Sequence, residues 1–78
     1  MQDIASQVEK MLIGLLKQSG LTRGKIVLAV LMLDSWEPQL AMCEWLLDNP
    51  DATEEEILAE VRRHADAYER WKKQKNRH

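Results

Sequence analysis

Ile26-Val27-Leu28-Ala29-Val30-Leu31-Met32-Leu33 is the longest uninterrupted apolar run in the 78-residue chain, and the fold depends on whether it is a strand or a helix. Every position is apolar, so neither a period of two nor one of 3.6 can be read from it. Three features favour helix: Thr22 supplies an N-cap, Leu, Ala and Met are good helix formers, and no second segment reads as a strand to pair with it. A lone strand would leave its backbone N–H and C=O groups without partners. A helix that is apolar on every side is expected at the centre of a bundle, covered by its neighbours. Eight residues fall well short of the ~18 that suggest a membrane span.

Upstream, Ile4, Val8, Met11, Leu12, Leu15 and Leu16 recur at steps of three and four, which forms one apolar stripe on a helix and leaves Gln7, Lys10 and Lys17 for solvent. Gly20 is the stop, because the residue just past a helix end often takes a left-handed conformation. Downstream, Ser35 opens a third helix with Trp36, Glu37 and Pro38 in its first turn, where proline loses no hydrogen bond. Glu37, Ala41, Glu44 and Asp48 share one narrow polar stripe, and Trp36, Leu40, Met42, Cys43, Trp45, Leu46 and Leu47 fill an apolar arc of about 220°. That is more than twice what a surface helix needs; Met42 and Trp45 lie on one flank and Trp36 and Leu40 on the other, so one flank is expected to face the core and the other something else.

Asn49-Pro50-Asp51 reads as a turn. Thr53-Glu54-Glu55-Glu56 then fits a capping box, with Thr53 as N-cap, Glu56 reaching back to it, and Ala52 and Ile57 at the staple positions. Ile57, Val61, His64, Tyr68 and Trp71 follow at steps of 4, 3, 4 and 3, a seam of mean period 3.5. The expectation is an all-α, small four-helix bundle with helices at about 3–19, 22–34, 36–48 and 53–74. Residues 1–73 form a single domain and 74–78 a disordered basic tail.

Composition bounds function more by exclusion than by assignment. One cysteine, Cys43, permits no internal disulfide, and two histidines, His64 and His78, argue against a metal staple on counting alone. A lone thiol and no secretory pattern in the opening residues lead us to expect a cytoplasmic location. Cys43 lies among apolar neighbours with no activating cation, and Glu60 with His64 lacks a third ligand in view. Gly14, Gly20 and Gly24 form no phosphate-binding fingerprint. The expectation is therefore a protein that is not an enzyme and holds no metal or cofactor.

Binding has firmer grounds. Three tryptophans and one tyrosine without phenylalanine is an unusual aromatic set for a tiny core, since indole and phenol seek polar partners and are enriched at interface centres. Met42, Trp45, Tyr68 and Trp71 are the candidate protein-binding residues. Either a foreign protein or a homodimer would cover them. In size and character the chain resembles the stoichiometric accessory proteins of phages and mobile elements, such as antitoxins or anti-CRISPR inhibitors, which occupy a partner's surface.

A nucleic-acid reading is the rival. Residues 1–60 hold four basic against eleven acidic side chains, whereas residues 61–78 hold seven basic against two acidic. Arg70, Lys72, Lys73, Lys75 and Arg77 surround Trp71 and would contact phosphates while the indole stacks. The blander account is a solvated helix end that complements its dipole.

Overall fold

A computed structural model describes residues 3–75, and among them there are four helices and no strand: α1 (Ile4–Gln18), α2 (Arg23–Met32), α3 (Trp36–Asp48) and α4 (Glu54–Lys75). The local signals in the sequence set the boundaries. Asp3 caps α1 by accepting from the Ala5 backbone N–H at 3.1 Å. At the other end Gly20 has a φ of +90°, its N–H donates to the Lys17 carbonyl, and the Leu21 N–H donates to the Leu16 carbonyl at 3.2 Å. That is a Schellman ending, completed by the burial of both Leu16 and Leu21. Thr22 occupies the N-cap position of α2 without a side-chain cap bond.

The capping box of α4 forms as the sequence implies. The Thr53 backbone N–H donates to Glu56 Oε1 at 2.8 Å, and the Glu56 N–H donates to Thr53 Oγ1 at 3.2 Å. Ile57 is fully buried and Ala52 packs on the core, which closes the staple. Gln74 and Lys75, expected in a disordered tail, instead complete the last turn of α4, and 76–78 lie outside the described residues.

The chain runs up, down, up and down. Residues near the start of α1 (Asp3, Ser6, Glu9) line a groove with Ser35, Trp36 and Gln39, and residues near its end (Leu15, Gln18, Ser19) line another with Leu46, Leu47 and Pro50. α1 and α3 therefore run parallel, and they share the most extensive contact in the molecule. α4 returns along α3 after the Asn49–Ala52 turn, and α2 bridges from α1 to α4, where Lys25 forms an ion pair with Glu54.

The core is one cluster built on Leu12, Leu16, Leu33, Met42, Ile57 and Val61, each fully excluded from solvent. α3 supplies its centre. Pro38, Gln39, Met42, Cys43 and Leu46 are all buried and span about 140° of the helix circumference. This part of the wide apolar arc of α3 is enclosed by α1 and α4, whereas Trp36 and Leu47, on its other flank, are 38% and 63% exposed.

The expected role of α2 is overturned. Only Ile26 and Ala29 of this helix are buried, whereas Val27, Leu28 and Leu31 are 50%, 52% and 69% exposed. α2 has ten residues, about 15 Å of length, and it lies against α1 and α4 at the edge of the bundle. One side meets its own chain and the other meets water.

Candidate interaction surface

α4 has 22 residues, about 33 Å, and is longer than the rest of the bundle can cover. Burial fades along its seam. Ile57 and Val61 are fully buried, His64 and Tyr68 are half-buried, and Trp71 is 46% exposed. At that end Tyr68 and Trp71, one turn apart, stack with ring centroids 5.6 Å apart and an interplanar angle of 24°. Lys72 Nζ lies 5.0 Å from the Tyr68 centroid and Lys75 Nζ 4.7 Å from that of Trp71, so each ring carries a cation four residues on.

Acidic groups surround these two lysines. Lys72 pairs with Glu69 at 3.2 Å, which raises its pKa, with Asp34 and Tyr68 adding smaller effects. Glu37, at the start of α3, is held below the usual carboxylate range first by the Ser35 hydroxyl, then by its own backbone N–H, with a smaller contribution from Lys75. The result is an aromatic pair framed by neutralised charge.

The four candidate protein-binding residues therefore divide. Tyr68 and Trp71 come together on the surface. Met42 is fully buried, and Trp45 packs partly against the core, so the Met42 and Trp45 flank is turned inward rather than outward. Met42 sits in the middle of the α3 face that α1 and α4 enclose, and reaching it would require opening the core. The surface that sequence reasoning missed is Val27, Leu28 and Leu31 on α2. Its signal was present in the spacing: positions 24, 27, 28 and 31 share one helix face, with Gly24 among them.

The basic residues of the rival reading also divide. Lys72 and Lys75 fold over the rings, while Arg70 and Lys73 are exposed and project from the opposite side of α4 at 100° per residue. Arg77 lies outside the described residues.

Other reactive groups are occupied by structure. The Cys43 thiol is 1% exposed and pushed up to about 11 by burial and, to a lesser degree, by Glu44. Glu60 accepts a forked pair from Arg63 at 2.8 to 3.2 Å. His64 Nε2 lies 3.3 Å from Glu60 without the alignment of a hydrogen bond, and burial holds the imidazole below its ordinary pKa. Among the described residues no three His, Cys, Asp or Glu side chains converge, and no helix is long and apolar enough to cross a membrane.

Comparison with family models, curated proteins and solved structures gives no match to this chain.

Proposed function

We propose that this protein is a non-catalytic binding module that acts by occupying or bridging a protein partner, as a stoichiometric inhibitor or adaptor does. The observation that carries this reading is the Tyr68–Trp71 stack. A tryptophan that is 46% exposed and the tyrosine stacked on it stand on the outside of a bundle whose core is already closed. A rigid pair of rings with few rotatable bonds loses little entropy on docking, and such residues anchor interface centres. Lys72 and Lys75 cover the ring faces until a partner displaces them, and their charges then join a polar rim.

The same geometry gives less support to nucleic-acid binding. The four basic residues described here are split between two faces, and Glu69, Asp34 and Glu37 stand beside the two that flank the rings.

The test is affinity capture from the source cells by immobilised protein, with Trp71→Ala and Tyr68→Ala as comparisons. The expected result is a protein held at a fixed ratio by the wild type and lost in both variants, with their helical circular dichroism unchanged. Retention of the same protein by Trp71→Ala would remove this surface from the reading. A salt-sensitive shift of labelled oligonucleotide would favour the rival.

A further inference from the structure

α1 and α2 are joined through the Gly20 turn, and a groove of about 430 Å³ lies between them, separate from the Tyr68–Trp71 stack. Its lining repeats one spacing on both helices: Ile13 and Lys17 on α1, Arg23 and Val27 on α2, each pair four residues apart and so on one face. Lys17 and Arg23 are the members nearer the turn. The two cations therefore stand at that end of the groove, with the apolar side chains about one helical turn beyond them. Leu21 and Ile26, each 6% exposed, close the bottom, and Ile13, partly buried, and Val27, half exposed, form the walls. Leu28 and Leu31, on the outer side of α2, do not line it.

Both cations are exposed, and among the described residues neither makes an ion pair. Residues 1–60 hold eleven acidic side chains against four basic ones, and two of those four line this one groove. Lys25, close by in sequence, is committed to Glu54. An apolar trough with unpaired positive charge at one end asks for a ligand of the same asymmetry.

We propose that the groove binds a single-headed amphiphilic carboxylate, a fatty acid of medium chain length. Its head lies between Lys17 and Arg23, and its tail runs over Leu21 and Ile26 between the walls of Ile13 and Val27. Concavity and charge select this occupant. A partner helix is about 10 Å across and would ride on Ile13 and Val27 without filling the space below. A flat anionic bilayer would not reach a floor this closed, and it would set many negative charges against an acidic body. One alkyl chain enters the trough and brings one negative charge to two cations. Apolar lining with a few polar groups that fix orientation is the usual build of a small-ligand site.

Titration of the 15N-labelled protein with sodium decanoate, kept below its micelle threshold and followed by amide NMR, tests the site. Shifts should saturate with a Kd of about 1 mM and centre on Ile13, Lys17, Leu21, Arg23 and Val27. Affinity should rise roughly twofold to fourfold per added carbon from hexanoate to decanoate. Lys17→Gln and Arg23→Gln, both at exposed positions, should each weaken binding about threefold and together about tenfold, with helical content unchanged. Decanol, which has the tail without the charge, should bind the wild type as weakly as decanoate binds the double variant. Absence of saturation up to about 10 mM overturns the proposal. So do shifts centred on Leu28, Leu31 or Trp71, or equal affinities for decanol and decanoate. Binding to anionic vesicles without binding to monomeric decanoate would assign the cations to a lipid surface, and loss of a captured protein in the double variant, again without decanoate binding, would assign the groove to that protein; either overturns the proposal. Trp71 takes no part in these measurements, so the groove and the binding reading are scored separately.

Discussion

Gln39 donates its side-chain amide to the backbone carbonyl of Leu33, joining the first turn of α3 to the C-cap residue of α2. Gln39 is the one buried polar residue of the described core, at 5% exposure, and it sits in the middle of the inward face of α3. The carbonyls of the last turn of a helix lack partners within that helix, so the amide completes a requirement of α2 from outside it. Gln39→Leu keeps the volume and leaves that carbonyl dry. The expected cost is about 1–3 kcal/mol, read as a lower urea midpoint at unchanged slope.

Thr53→Ala removes half of the capping box and should cost about 1 kcal/mol in the same assay. The other half is sensitive to pH. Glu56 is held below its ordinary value of 4.5, first by the Thr53 backbone N–H and then by the Thr53 hydroxyl. A carboxylate depressed in the folded state contributes stability above its unfolded pKa and loses it as pH falls through the folded one. Glu56→Gln should therefore flatten the acid limb of the stability profile below about pH 4.5.

His64 supplies a second acid-sensitive step at higher pH. Burial lowers its pKa below the ordinary 6.5, Arg63 adds to this, and Glu60 opposes both. The unfolded chain takes up the proton first, so stability is full above pH 6.5 and declines as pH falls below it. Melting temperature measured between pH 8 and pH 5 should fall for the wild type and stay level across that window for His64→Leu.

The same substitution at two glycines should have opposite signs. Gly14 lies within α1 with open space where a Cβ would stand, so Gly14→Ala should stabilise by roughly 0.5–1 kcal/mol. Gly20 has equally open space but a φ of +90°, so Gly20→Ala should destabilise by roughly 1–2 kcal/mol. Thermal denaturation of the pair separates backbone preference from packing.

Two leucines should differ as sharply. Leu12→Ala empties a fully buried site and should cost about 2–5 kcal/mol, comparable to the whole stability expected of so small a core. Leu31→Ala, measured in dilute solution, should fall within about 0.5 kcal/mol of the wild type.

The helices and their ends were legible because their causes are local. Thr53 and Glu56 are three residues apart, and Gly20 acts on the carbonyls of the turn just before it. Placement depends on contacts distant in sequence, and there the reading of α2 failed. An all-apolar run states that a segment avoids water without stating which molecule shelters it. The better guide to the centre was the broad arc of α3, most of which is enclosed although Trp36 and Leu47 at one edge of it stay exposed. Of the candidate site, Tyr68 and Trp71 were legible as the end of a seam, whereas Met42 was not, since its position on the arc has meaning only once the neighbours of α3 are known. Gln39 was missed because a lone glutamine among apolar residues carries no periodic signal.

Cys43, sealed in the enclosed face of α3 and the only thiol in the chain, gives the molecule a built-in clock. With its pKa pushed up to about 11, the thiol is protonated at neutral pH, and a thiol reagent gains access only during an opening of the bundle. Each molecule then reacts once, and the labelling rate counts those openings. Stabilising changes elsewhere, such as Gly14→Ala, should slow that clock without touching the sulfur, so the breathing of the whole bundle can be timed from a single atom.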